Sequence, residues 1–388
     1  MEKVVFILEN GRKNRIVVKI GSSSLTNLTE GLSLEKLENH VAALANLRHA
    51  GHEVILVSSG AVAAGFTALG YPTRPVTLEG KQAAAAVGQG LLIQAYNDCL
   101  RRHGLTGAQI LLTRNDFSKR HRYHNAYGAL NVLLKRGIVP IINENDTVSV
   151  DELTFGDNDM LSALVAALLH ADGLIILTDT DGLYTANPHL YPEAKKIERV
   201  NEITPEIEEI AGDSGTAVGT GGMRSKISAA KLALSLGIDV FIGTGSGDDK
   251  LLAILNGNGA GTYFSNDIKG TLKSRKQWIA FHAESSGKIK IDDGAVKAML
   301  EGHKSLLPSG VVEIQGHFKP GQVIEVWNTH GHLIGKGEVN YSAEQLALVK
   351  GKSTSVSREM LRIERAEVIH RDNWVTLYVQ ENKGEPVT

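Results

Sequence analysis

Between Arg15 and about residue 265, short apolar runs alternate with stretches of helical periodicity, and this alternation restricts the fold more than any other feature of the chain. Arg15–Ile20, Glu53–Ser58, Gln109–Thr113, Ile138–Ile142, Leu174–Thr178 and Val240–Gly243 read as strands. Leu34, Leu37, Val41, Leu44 and Leu47 recur at helical spacing, with Gly51 where a helix commonly ends in the left-handed region. Further helices are expected over Gln82–Leu100, Asn125–Lys135, Met160–Leu169 and Ile227–Leu236. Strands that alternate with crossover helices build a largely parallel sheet covered on both faces, so the expected class is an α/β sandwich.

Beyond residue 280 the pattern changes. A short helix at Gly294–Leu300 precedes glycine-punctuated β segments at Val323–Asn328 and His332–Gly337, which predicts a small α+β or β-barrel module. The expected organisation is an N-terminal extension (1–13), the α/β domain (14–280), a linker (281–287), the small domain (288–375) and a C-terminal tail (376–388). A chain of 388 residues has room for both cores.

Composition narrows the partners. A net charge of −2 argues against a general nucleic-acid or anionic-membrane binder. Cys99 is the only cysteine, which rules out a disulfide framework within one chain and fits a reducing cytoplasm. No apolar run approaches the roughly 18–20 residues that span a bilayer. The mixed-charge start is no convincing signal peptide.

The most informative local stretch is N-E-N-D-T-V-S-V-D-E-L-T-F-G-D-N-D, Asn143 to Asp159. It gathers Asn143, Asn145, Asp146, Asp157, Asn158 and Asp159 between a strand's end and the next helix. Ligands of α/β sheets usually bind just beyond the carboxyl ends of the strands. An Asp/Asn cluster there can hold a ligand bearing an ammonium group or orient cationic side chains. The same residues can also cap the helix and shape turns.

No P-loop occurs, so phosphates need another cradle. One candidate is V-V-K-I-G-S-S-S, where Lys19 sits in an apolar strand and Gly21 opens a loop carrying the Ser22 and Ser23 hydroxyls. A strand-end lysine can instead reach solvent. A second is V-G-T-G-G-M-R-S-K, Val218 to Lys226, feeding a helix whose first N–H groups favour anions. A third loop on the same edge, T-D-T-D-G-L-Y-T-A-N-P, brings Thr178, Asp179 and Tyr184.

Together with S-S-G-A and N-V-L-L-K-R-G-I-V-P-I-I, these segments resemble the amino acid kinase family, in its glutamate-phosphorylating branch, over nearly the whole length. The tail, with S-L-L-P-S-G-V and G-H-F-K-P-G-Q-V-I, resembles a PUA domain. The resemblance implies transfer of the ATP γ-phosphoryl to the L-glutamate γ-carboxylate, the first step of proline biosynthesis from glutamate. It implies Mg²⁺ bridging the ATP phosphates, and no protein metal ligand is named. Lys19, Asp159 and Lys226 match the catalytic positions. Ser59, Asp146 and Asn158 match the glutamate site, and Asn143 and Asp157 lie beside this shell. Lys19, Gly21, Ser22, Thr178, Asp179, Tyr184 and Thr220, Gly221, Gly222, Met223, Arg224, Ser225 and Lys226 match the ATP site. It further implies feedback inhibition by proline and a homo-oligomer, a dimer or tetramer. Residues 281–388 hold 13 Lys/Arg against 14 Asp/Glu, so RNA binding by the PUA-like domain is not expected.

Overall fold

The computed structural model describes residues 13–27, 31–148, 158–188, 190–212, 222–265, 285–361 and 366–377. The chain divides into two compact units, residues 1–116 with 121–271, and residues 117–120 with 272–388.

The first unit is built on one eight-stranded sheet. Its strands are β1 (Arg15–Ile20), β2 (Glu53–Ser58), β3 (Gly107–Leu112), β4 (Val139–Glu144), β5 (Gly173–Leu177), β6 (Arg199–Val200), β7 (Asp239–Gly243) and β8 (Gly261–Phe264). Their order across the sheet is β6-β8-β7-β5-β1-β2-β4-β3. The six strands from β7 to β3 are parallel, and only the β7–β8 pairing is antiparallel. The expected largely parallel sheet is therefore present, extended by the short strands β6 and β8 that apolar runs alone did not mark.

Helices α1 (Leu34–His49), α2 (Ala61–Gly65), α3 (Leu78–Arg102), α4 (Arg120–Lys135), α5 (Asn158–Leu169), α6 (Met223–Ser235) and α7 (Lys250–Leu255) pack with it, among other short elements. Ile16, Val18 and Ile20 of β1 share one core with Leu37, Val41 and Leu44 of α1, Leu92 and Tyr96 of α3, and Leu251 and Ile254 of α7. Because side chains alternate along a strand, Val17 and Lys19 point to the opposite face. That face belongs to α5 and α6. From Leu161 to Leu169 every side chain of α5 is buried, as a helix apolar on all sides must be.

β1 is flanked by β2 on one side and β5 on the other, so connections leave it in both directions. Such a reversal of strand order opens a crevice at the carboxyl edge of the sheet. Lys19 lies one residue before that edge, level with Val57 of β2 and Ile176 of β5.

Helix starts fall earlier than expected. α5 begins at Asn158 rather than Met160, and α6 at Met223 rather than Ile227. Both misses have one cause: polar residues of a first turn carry no apolar period, although they are helical.

The second unit holds a five-stranded sheet of β9 (Ser285–Ile291), β10 (Val311–Gly316), β11 (Val323–Asn328), β12 (Leu333–Val339) and β13 (Ile369–Thr376). The order is β10-β9-β11-β12-β13, with only β9 and β11 parallel. Ser285–Gly287, expected in a linker, open β9 instead. Met299, Leu306, Phe318, Tyr341, Leu346 and Val349 close a separate core over it. No helix among the described residues is long and apolar enough to cross a membrane.

Candidate active site

Three elements converge on one carboxylate. Asp159, in the first turn of α5, is wholly buried. Its Oδ1 lies 2.5 Å from Lys19 Nζ of β1, and its Oδ2 lies 3.1 Å from Lys226 Nζ of α6. Ser225 Oγ donates to Oδ2 as well, at 2.9 Å. Lys19 is 4% exposed and Lys226 6% exposed, so both ammonium groups are nearly dry. Asp159 brings a single negative charge to these two cations. A dry setting strengthens the attraction of buried ammonium groups for an incoming polyanion.

The ground beside Lys19 is kept clear. A Cβ at Gly21 would stand 3.6 Å from Lys19 Nζ and 3.8 Å from the Leu177 carbonyl. A side chain there would fill the approach to the ammonium group. Gly21 precedes a single 3₁₀ turn over Ser22–Ser24. Lys226 occupies the fourth position of α6, because the helix starts at Met223 behind Gly222. The N–H groups of that first turn lie at the same helix end as the ammonium group.

A second, uncharged network adjoins the triad. Asn158, the neighbour of Asp159, donates through Nδ2 to Ser59 Oγ (2.8 Å), Asn143 Oδ1 (3.0 Å) and the Ser58 carbonyl (3.1 Å). Asn143 Nδ2 donates in turn to Gln89 Oε1 of α3, at 2.8 Å. Asn158 Oδ1 is buried and has no hydrogen-bond partner among the described residues. A buried amide oxygen without a partner is costly, and it can receive a donor such as an ammonium N–H.

The backbone holds this network through glycines. Ser59 is followed by Gly60 at φ +103°, a conformation glycine adopts readily, and α2 starts at once. A Cβ at Gly65 would sit 2.1 Å from the Ala84 carbonyl, and one at Gly88 only 1.8 Å from the Ala61 carbonyl. Helices α2 and α3 therefore touch backbone to backbone, and this contact places Gln89 beside Asn143. Sequence reading missed Gln89. An amide flanked by two glycines in an Ala-rich helix was the signal available.

Asp146 stands in the turn after β4 and shares no hydrogen bond with that network among the described residues. Burial, then the repulsion of Glu144, pushes its carboxyl up to about 6, against the attraction of Arg74. Thr178 Oγ1 donates to Asp179 (3.1 Å), and the Thr178 N–H donates to the Gly243 carbonyl (3.0 Å), tying the ends of β5 and β7. Tyr184 OH donates to Asp181 (2.8 Å), which also meets Lys196 at 3.4 Å, so the phenol is held within its own loop. Met223 is half-buried and Arg224 exposed. Asp157, Thr220 and Gly221 lie outside the described residues.

A parallel sheet whose carboxyl edge carries two buried ammonium groups on one carboxylate, with no P-loop, belongs to a small-molecule phosphotransferase. The amino acid kinase family pattern matches residues 14–244 and the PUA domain pattern matches residues 287–361. A glutamate 5-kinase of Bacillus cereus is 56% identical over 94% of this chain and 100% of its own length. Glutamate 5-kinase 1 of Bacillus licheniformis is 58% identical over 94% of this chain and 99% of its own length. The glutamate 5-kinase of Geobacillus kaustophilus is 57% identical over 94% of this chain and 98% of its own length. The chain belongs to the amino acid kinase family, among its glutamate 5-kinases, and carries a PUA domain.

Proposed function

We propose that this edge transfers the γ-phosphoryl group of ATP to the γ-carboxylate of L-glutamate, giving L-glutamyl 5-phosphate for proline biosynthesis. The convergence of two buried ammonium groups, Lys19 and Lys226, on Asp159 carries the mechanistic reading. The nucleophile needs no general base, because a free γ-carboxylate has a pKa of about 4.3. The barrier is an anion approaching a polyanion. Lys19 and Lys226 lower it by meeting the charge that spreads over the transferred phosphoryl oxygens. Asp159 holds the lysines in place and takes no proton.

Ser59, Asn143, Asp146, Asp157 and Asn158 form the glutamate shell in this reading. Asn158 Oδ1 and the Asp146 carboxylate supply acceptors for the substrate ammonium, supported by the unpartnered amide oxygen. Gly21, Ser22, Thr178, Asp179, Tyr184 and residues 220–226 line the nucleotide. Among the described residues no group of three His, Cys, Asp or Glu side chains could hold a metal ion. Mg²⁺ would enter with the nucleotide, as MgATP, and would neutralise phosphate charge there.

Family membership supports proline as a feedback inhibitor and assembly into a dimer or tetramer. A reducing cytoplasm suits the lone Cys99. The test compares phosphorylation of glutamate, aspartate and N-acetylglutamate by the same preparation. Glutamate is expected to be preferred, because aspartate is one methylene short and N-acetylglutamate lacks the ammonium. Equal turnover of N-acetylglutamate would sink the ammonium contact.

A further inference from the structure

Two local irregularities in the second unit aim charged side chains at one cleft. The helix Asp293–Leu300 ends in a turn where His303 takes φ +48° and the Lys304 N–H donates to the Ala298 carbonyl at 3.0 Å. A non-glycine residue in the left-handed region is uncommon, and such strain gathers where side chains must be presented in one direction. Across the cleft, β13 leaves its register with β12. Gly337 pairs with Trp374 and Val339 with Ile369, so His370–Asn373 bulge out opposite Glu338 alone. Bulges of this kind re-aim side chains. Here the bulge presents Arg371 and Asp372.

The two walls are joined. Leu306 bridges Ile369, and the Arg371 N–H donates to Ser305 Oγ at 3.0 Å. The cleft between them measures about 510 Å³, within the range of small-ligand sites. Its floor is apolar: Met299 is 2% exposed and Trp374 is 6% exposed. The indole is fixed by its donation to Thr376 Oγ1 at 3.2 Å and by Gly335, where a Cβ would fall 2.7 Å from the ring. Its rim is cationic. Neither Lys304 nor Arg371 has a carboxylate partner among the described residues, whereas Asp372 lies 3.5 Å from the His370 ring.

We propose that the second unit carries a ligand site of its own, the cleft between the Glu301–Ser305 turn and the His370–Asn373 bulge, which takes a small organic anion with an apolar or planar body. The anionic group meets Lys304 and the planar guanidinium of Arg371, and the body lies over Met299 and Trp374. Phosphate and carboxylate both satisfy this chemistry, and the charge balance of the unit as a whole favours a small ligand over a polynucleotide.

Calorimetric titration of the full chain, its kinase site kept filled with MgADP and glutamate, tests the site with phenyl phosphate, benzoate and benzyl alcohol. Saturable binding of phenyl phosphate or benzoate is expected, the better of the two identifying the anionic group, with none for benzyl alcohol. The double variant Lys304→Gln, Arg371→Gln should bind at least about tenfold more weakly while phosphorylating glutamate at the normal rate. Absence of saturable anion binding, equal binding by the double variant, or equal binding of benzyl alcohol overturns the proposal. Salt-dependent retention of structured RNA by the parent chain but not the double variant overturns it in favour of a nucleic-acid surface.

Discussion

The charged triad and the amide network lie side by side on the same sheet edge but are held by different forces. Asp159 reaches Lys226 across 67 residues of sequence, and both of its lysine partners are buried ions. Asn158 reaches Ser59 across 99 residues, and every partner is neutral. An ion pair in a dry site is strong and tolerant of direction, so it suits groups that must stabilise charge as it shifts. Neutral amides are weaker and directional, so they suit recognition of one ligand orientation. Adjacent residues, Asn158 and Asp159, serve the two networks because successive positions in a helix's first turn point about 100° apart. In the proposed mechanism, transition-state charge and substrate orientation would thus be handled separately from a single turn.

This contrast predicts a graded set of effects. Lys226→Ala should lower turnover at least about 100-fold while leaving the circular dichroism spectrum unchanged. Near-normal turnover would remove the triad from catalysis. Asp146→Ala should raise the glutamate KM by about tenfold or more and leave the ATP KM almost unchanged, which steady-state kinetics would separate. Equal effects on both substrates would erase the division between the networks.

Asp146 also sets a pH dependence. With its carboxyl pushed up to about 6, it is anionic above that pH and neutral below it. The attraction for the substrate ammonium proposed for it would therefore be present at neutral pH and lost on acidification. Glutamate kcat/KM should fall about tenfold per unit below that point, and Asp146→Asn should abolish this limb. A limb unaltered in the variant would assign the titration elsewhere. The smallest effect is expected from Gln89→Leu, which leaves Asn143 Nδ2 without its acceptor. A loss of about 1 kcal/mol, seen as a several-fold higher glutamate KM at constant kcat, would extend the neutral network to α3. A fall in kcat alone would instead couple it to the triad.

Much of this was legible before any coordinates. Strands β1 and β2 fall where the apolar runs end, since a buried parallel strand is an apolar run and little else can be. Lys19 stood out as a lysine inside such a run. Strands β6 and β8 were not legible, because two- and four-residue strands lack enough length to show a period. Asn158 and Asp159 were marked as polar residues near a helix, but nothing in their spacing told the amide from the acid in role.

The sequence by itself determined the layered α/β architecture, the change of pattern beyond residue 280 and the residue types available at each strand end, because hydrophobic periodicity is a local property of the chain. Tertiary structure alone decided that Asp159 would sit between two lysines, that α2 and α3 would touch at Gly65 and Gly88, and that Gln89 would reach Asn143. Those contacts join residues far apart in the chain. They exist only because burying one sheet between two layers of helices fixes distances that no local pattern encodes.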